Sequence, residues 1–272
     1  MGRGEALLEV RVISLKGSFE RRASVRQQFA RLGRDFRFFD AIDGRDTSDP
    51  AVRRFSARRF LIQHGRPHVP GEIGCYASHF LLWQYCIETG VPLVIMEDDL
   101  EFMGDAGGVL AVAEEMSGRF DFIRLEATRK KPSVRCWQRD GRSIVRYLKI
   151  PQCLTAYQIT PRAARALVTA SHTFSYPVDV FVRNQYLHGV PIHGIEPFAV
   201  RPRLASLNSQ IGDRHVDKGP WWSRPTRLFH RSRNGLLNAC TNLRHIIANA
   251  NDPMSHITDF EASDRDGKPG QS

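Results

Sequence analysis

Three consecutive carboxylates, Glu97, Asp98 and Asp99, follow the apolar run Pro92-Leu93-Val94-Ile95-Met96. An apolar run without alternation is the pattern of a strand covered on both faces, so the acids mark the place where a buried strand ends. Like charges gathered in a partly dry place repel, and each tends to take up a proton. A cation removes that cost. Hard divalent ions, Mn²⁺ or Mg²⁺, prefer oxygen ligands and keep positions open for phosphate oxygens. The cluster therefore suits a metal that grips a diphosphate. Side chains alternate along an extended segment. Glu97 and Asp99 thus face one way as metal ligands, and Asp98 faces the other and braces the loop. A plain solvated strand end is the competing reading; acids at the ends of other strands weigh against it.

The surrounding elements give those acids a common address. Leu7 to Leu15 reads as a first strand, and Phe36 to Phe39 as a second that runs into Asp40-Ala41-Ile42-Asp43-Gly44. Between them Val25, Phe29 and Leu32 recur at helical spacing in a helix from Phe19 to Leu32. A short helix from Ala51 to Ile62 precedes a long one, Glu72 to Thr89, with Gly90 as its stop. After the strand at 92–96 come a helix at 107–116, a strand at 120–125 and a polar, basic loop or hairpin at 128–143. A strand at 153–159 leads through the cap Thr160-Pro161 into a helix at 162–170. Pro177-Val178-Asp179 opens a helix to about Leu187, and Gly194 to Val200 is a last strand. Strands alternating with helices imply an α/β fold, a mostly parallel sheet flanked by helices. In such sheets ligands bind outside the carboxyl ends of the strands. Ser14, Asp40, Glu97 to Asp99 and Glu126 all follow expected strands and share that destination.

No G-x-x-x-x-G-K-[ST] and no G-x-G-x-x-G after a strand occurs, so a glycine cradle for phosphate is not expected. Phosphate charge must be met by metal and arginine, and Arg21, Arg22 and Arg26 stand at the start of the first helix, beside the crevice. Net charge is +10, a field that draws polyanions. The five cysteines are scattered without a C-x-x-C pair, as expected of reduced thiols in a cytosolic protein. Met1 to Leu15 lacks the apolar run of a secretory signal, and no stretch reaches the roughly 20 apolar residues of a membrane span.

Val12-Ile13-Ser14-Leu15, Glu20-Arg21-Arg22 and Phe38-Phe39-Asp40-Ala41-Ile42-Asp43-Gly44 strongly resemble the opening of glycosyltransferase family 25. So do Gly71-Glu72-Ile73-Gly74-Cys75 with Ser78-His79 and Trp83, the Glu97-Asp98-Asp99 triplet, Arg124-Leu125-Glu126 and Pro177-Val178-Asp179. The resemblance spans roughly residues 10 to 210, and the order and spacing of the motifs carry it. It implies a GT-A-like, Rossmann-type fold and an inverting transfer of a hexose. UDP-galactose is the commonest donor, and a lipopolysaccharide or lipooligosaccharide core or similar glycan is the acceptor. Ser14, Leu15, Asp40 and Ala41 would hold the nucleoside, with Arg21, Arg22 and Asp98 also on the donor. Asp179 is the candidate general base and Glu126 its rival. Their competing roles are a helix cap and an ion pair with Arg124. His79 reads as a packed, hydrogen-bonded helix residue. Leu204 to Ile211, with Asn208, Ser209 and Gln210, is a candidate flap over the donor.

The chain divides into a transferase domain at 5–215, a basic amphipathic segment at 216–258 and a polar tail at 259–272. Lys218 to Asn251 holds six Lys or Arg and no carboxylate. Trp221-Trp222, Arg224, Arg227, Arg231 and Arg233 stand there beside Leu228, Phe229, Leu236, Leu237, Leu243, Ile246 and Ile247. That is the composition of an interfacial helix on an anionic membrane, which places the protein peripherally on the inner face of a bacterial cytoplasmic membrane. A C-terminal helix packed on the domain is the alternative. Two other functions remain. A nucleic-acid binder explains the charge and leaves the acidic cluster unexplained, so no nucleic acid is expected; a non-catalytic scaffold would keep the fold alone.

Overall fold

A computed structural model of the chain describes residues 8–127, 129–203, 220 and 223–250. The expected strand start at Leu7, the candidate flap at 204–211, Trp221-Trp222, the boundaries placed at 5, 215 and 258, and the polar tail lie outside the described residues, as do the side chains of Arg224 and Ile246.

The sequence folds as β1 (Glu9–Ser14), α1 (Phe19–Leu32), β2 (Arg37–Asp40), α2 (Ala57–His64), α3 (Pro70–Thr89), β3 (Leu93–Glu97), β4 (Leu100–Phe102), α4 (Ala106–Glu115) and β5 (Phe122–Arg124). Then come β6 (Ser133–Arg139), β7 (Arg142–Tyr147), β8 (Ala156–Ile159), α5 (Pro161–Ala170), α6 (Val178–Arg183), β9 (His193–Glu196), β10 (Val200–Pro202) and α7 (Ser223–Ala250). An eight-stranded sheet runs in the order β2-β1-β3-β8-β5-β9-β7-β6. Pairing directions make β1, β2, β3, β5, β6 and β9 point one way and β7 and β8 the other. The fold is thus the expected α/β class, a mostly parallel sheet in a GT-A-like arrangement.

The apolar pattern explains the layering. In β3 every core residue is buried, with Leu93 and Ile95 facing one cluster and Val94 and Met96 the other. The first cluster is roofed by α3, α5 and α6 through Tyr76, Phe80, Trp83, Leu167 and Phe181. The second is roofed by α1 and α4 through Val25, Phe29, Val109 and Leu110. A strand covered on both faces has no polar side to alternate, which is why its sequence is a continuous apolar run.

Three local differences from the sequence reading have physical causes. The expected strand at 194–200 is two strands, β9 and β10, broken at Pro197, which has no N–H to extend a ladder. β10 pairs antiparallel with β4, directly after the acidic triplet. The basic stretch at 128–143 is resolved, over its described residues, toward the hairpin alternative, with β6 and β7 at the sheet edge. The helix from Pro177 shortens to α6 and is followed by a 3₁₀ turn at Gln185–Leu187.

The loop after β2 owes its course to two glycines. A Cβ on Gly44 would lie 1.9 Å from the Pro70 carbonyl oxygen, and one on Gly74 would lie 2.3 Å from the Ile42 carbonyl oxygen. Backbone therefore packs on backbone where loop 42–44 crosses the start of α3. Ser78 completes the seam: its Oγ accepts from Ile42 N at 2.9 Å and donates to the Gly74 carbonyl at 2.7 Å. Gly74→Ala should lower stability by about 1–3 kcal/mol, read as a shift of the urea midpoint, because no flexible atom can yield there. An unchanged midpoint would show that the seam is loose.

Candidate functional site

The parallel strands bring their carboxyl ends to one edge. Ser14 of β1 is in register with Asp40 of β2, and Ile13 with Glu97 of β3. Thr155, just before the reversed β8, accepts from Glu97 N at 2.8 Å, so the 151–155 loop reaches the same edge. The strand-end residues named from the sequence are thus neighbours.

Asp98 links the strand ends. Ser14 Oγ donates to its Oδ2 at 2.7 Å, and Arg21 Nη1 donates to its Oδ1 at 3.0 Å. This is the bracing role expected for Asp98. Arg22 reaches across to the Ser14 carbonyl at 2.8 Å and to Asp40 Oδ1 at 2.5 Å. That bond to Arg22 holds the Asp40 carboxyl below its usual range. Ala41 N donates to the Ser14 carbonyl at 2.9 Å, fixing the turn beside Leu15. Arg21 and Arg22 therefore sit at this sheet edge, each engaged by a carboxylate.

Glu97 turns the other way, toward α3. Its Oε1 lies 3.4 Å from Cys75 Sγ and 3.4 Å from His79 Nε2. Burial, with the neighbouring charges of Asp179 and Asp98 adding to it, raises the Glu97 carboxyl to about 7, against the lowering pull of the Cys75 bond and Arg21. Burial likewise pushes the Cys75 thiol well above its ordinary range, and the charges of Glu97, Asp179 and Asp99 push in the same direction. The charges of three carboxylates thus reach the Cys75 thiol, and only Glu97 touches it. The ligand atoms of Cys75, His79 and Glu97 all lie within 4.8 Å of one another, a set that offers sulfur, nitrogen and oxygen to one cation.

His79 is wholly buried and, as a result, its pKa falls to about 3, so it is neutral. Its Nδ1 meets the Tyr157 hydroxyl at 2.8 Å, and Trp83 Nε1 donates to the same hydroxyl at 2.9 Å. His79 is the packed, hydrogen-bonded residue the sequence suggested, yet its other nitrogen points into the site. Helical spacing puts Cys75 and His79 on one face of α3.

The two candidate bases differ in setting. Glu126 is completely buried, and Arg124 binds its Oε1 through both Nε and Nη2. Arg124 also donates to the Pro151 carbonyl at 2.5 Å and to the Cys153 carbonyl. Cys153 adopts φ of 91°, a costly backbone state for a residue with a side chain. The Arg124–Glu126 pair therefore holds the 151–155 loop in shape. Glu126 thus makes the ion pair with Arg124 named as its competing role, enclosed from solvent. Asp179, on α6, is partly exposed. Its Oδ1 accepts from Val180 N at 2.8 Å and its Oδ2 from Cys153 N at 3.5 Å.

Asp99 lies on the turn between β3 and β4, and its carbonyl accepts from Arg203 N at 2.6 Å. Residues 199–203 thus pass directly beside the acidic triplet. Two cavities, of about 440 and 390 Å³, lie elsewhere: one between α2, α6 and α7 beside Tyr176 and Tyr186, the other beside α1 and β4 at Gln28 and Phe102.

The description "Glycosyltransferase family 25 (LPS biosynthesis protein)" matches residues 8–182. The chain belongs to glycosyltransferase family 25. A family 25 member of Anopheles gambiae is 31% identical over 173 residues, covering 60% of this chain and 29% of that protein. A lacto-N-neotetraose biosynthesis glycosyltransferase, LgtE of Neisseria gonorrhoeae, is 28% identical over 225 residues, 74% of this chain and 78% of the relative. A lipooligosaccharide biosynthesis protein of Haemophilus influenzae, lic2B, is 30% identical over 223 residues, 74% and 80% of the two chains. The chain spans less than a third of the insect relatives it matches and about four fifths of these bacterial ones.

Sequence reasoning missed Cys75, Tyr157 and the loop-holding role of Arg124. Cys75 carried a signal in retrospect, at i and i+4 with His79 on a helix that faces a strand end. Tyr157 and Arg124 carried none, because their partners are distant in sequence.

The raised Glu97 carboxyl has a consequence for stability. It binds its proton more tightly folded than unfolded, so folded-state stability is highest at low pH with respect to this group. It falls as pH rises from the ordinary value of 4.5 through about 7, and is level above that. In chelator-treated buffer, the buried histidines His64, His79, His188 and His193, whose folded values are lowered to about 4, 3, 4 and 3, add stability as pH rises toward 7. Glu97 subtracts from that gain, so the quantity to measure is the difference between the native chain and Glu97→Gln from pH 5 to 8. Glu97→Gln should gain more over that range than the native chain; buried Glu126, also raised, acts equally in both proteins. Identical slopes for both proteins would show that Glu97 is not desolvated.

Proposed function

We propose that this family 25 chain transfers a hexose, galactose first among candidates, from a UDP-sugar to a lipooligosaccharide-type or related glycan acceptor, inverting the anomeric centre. The observation that carries this reading is the meeting of Ser14, Arg21 and Asp98 at the sheet edge where β3 ends in Glu97, with Asp179 bonded to the Cys153 N–H of the adjoining 151–155 loop. The names of the bacterial relatives, which refer to lipooligosaccharide and lacto-N-neotetraose biosynthesis, support the acceptor class.

A divalent cation fits the site. The ligand atoms of Cys75, His79 and Glu97 stand within 4.8 Å of one another, and burial, with the charges of neighbouring carboxylates adding to it, makes the Glu97 carboxylate costly to keep ionised without a cation. Glu97 and Asp99 would hold Mn²⁺ or Mg²⁺, which when bound neutralises charge on the donor diphosphate.

The chain's own residues do the rest. The Ser14–Asp40–Ala41 edge, with Leu15 exposed beside it, receives the nucleoside. Arg21, now on Asp98, and Arg22, now on Asp40, are placed to share their charge with the diphosphate. Asp179 takes the proton of the acceptor hydroxyl as its oxygen attacks C1 of the sugar. The C1–oxygen bond to the diphosphate breaks, and nucleoside diphosphate leaves with the bonding pair. Glu126 and Arg124 keep the 151–155 loop, and with it Asp179, in position.

A screen of UDP-sugars with Mn²⁺ and an oligosaccharide acceptor tests the assignment. Asp179→Asn should lower kcat by about 10²- to 10⁴-fold with donor affinity near native. Asp99→Ala should weaken Mn²⁺-dependent donor binding, followed by calorimetry. Full activity in both variants would remove these roles, and nucleotide binding without turnover of any donor would favour a non-catalytic scaffold.

A further inference from the structure

Helix α7 (Ser223–Ala250) is built inside out relative to an ordinary surface helix. The face it turns to the protein is polar. Tyr186 Oη donates to Asn234 Oδ1 at 2.8 Å, Asn238 Nδ2 donates to Asn184 Oδ1 at 2.9 Å, and Gln185 Nε2 donates to Asn242 Oδ1 at 2.9 Å. Asn242 Nδ2 also reaches the Leu148 carbonyl at 2.6 Å. Asn234, Asn238 and Asn242 recur every fourth residue, one stripe of amides along the docked side.

The outward face is apolar. Leu228, Phe229, Leu236, Leu243 and Ile247 are 65, 65, 66, 58 and 57% exposed. At about 100° per residue these five fall within little more than a quarter of the helix circumference. A helix whose polar side is satisfied by its own domain and whose apolar side faces outward has an unfilled partner position. Arg231, Arg233 and Arg244 are exposed along its flanks, and no carboxylate occurs between Lys218 and Asn251 to balance them. Charge selects the partner. A second copy of α7 would bring arginine against arginine. An anionic lipid surface answers both features, taking the apolar side chains below its headgroups and the guanidinium groups at its phosphates. No described helix is long and apolar enough to cross a membrane, so the contact is interfacial.

We propose that the outward face of α7 docks the chain on an anionic phospholipid bilayer, with the asparagine stripe fixing the helix to the domain in that orientation. This proposal stands independently of the sugar-transfer reading, since it needs no catalysis. The test is flotation of the full chain with vesicles of phosphatidylglycerol and phosphatidylcholine, against vesicles of phosphatidylcholine alone. The expected result is capture by the anionic vesicles, weaker at high salt. A combined Phe229→Ser, Leu236→Ser, Leu243→Ser variant should lose at least tenfold in bound fraction while keeping the native melting temperature, because these side chains are exposed. Failure of the native chain to float with anionic vesicles would overturn the proposal, and so would undiminished binding by the variant. Light scattering that finds a dimer which the variant dissolves, without vesicle binding, would instead assign the face to a second copy of the chain.

Discussion

Negative charge concentrated at the end of a dry strand is the constraint around which this molecule is arranged. Glu97 extends β3, a strand covered on both faces, and its carboxyl points into the seam between the sheet and α3. There it meets a neutral histidine, a thiol whose hydrogen bond offsets its charge only in part, and the opposing fields of Asp179 and Asp98. The cation nearest in this sense, Arg21, is engaged by Asp98. Water alone would relieve such a cluster only by protonating it. Under the proposed sugar transfer, a cation and the anionic ligand it brings would relieve that cost.

Much of the surrounding architecture serves to hold that arrangement. Two glycines let loop 42–44 lie directly on the start of α3, which ties the carboxyl end of β2 to the helix that carries Cys75 and His79. Tyr157 and Trp83 fix the orientation of the His79 ring from below. The buried Arg124–Glu126 pair does the corresponding work on the other side. It spends its hydrogen bonds on the carbonyls of the 151–155 loop, keeping Cys153 in a left-handed conformation and its N–H toward Asp179. A buried ion pair is weak evidence for stability and better evidence for a fixed geometry, and here the geometry fixed is that of a loop at the reactive edge.

The same separation of roles extends to α7. Its amides meet the protein and its hydrocarbon meets the exterior, the reverse of the rule for a helix that covers a core. Together with the family's relatives in lipooligosaccharide biosynthesis, this gives the molecule two anion-seeking surfaces of different kinds. One is the sheet edge, proposed to draw phosphate through a cation and arginines, and the other is the basic apolar ridge of α7, proposed to draw lipid.

The amino-acid sequence by itself determined the alternation of strands and helices, the class of fold and the residues that gather at the sheet edge. These depend on local rules: apolar runs make buried strands, and chain direction puts every strand end of a parallel sheet on one side. Ser14, Asp40, Glu97 and Glu126 were legible for that reason, and the family motifs fixed their order. Only the tertiary structure decided which way each carboxyl turns: Asp98 toward Ser14 and Arg21, Glu97 toward Cys75 and His79, Glu126 into the grip of Arg124. It also decided that β8 enters the sheet reversed, that β10 returns to pair beside the acidic triplet, and that α7 docks through asparagines. Those outcomes depend on partners dozens of residues away, and a side chain's choice among distant partners is set by packing and desolvation, which no local pattern encodes.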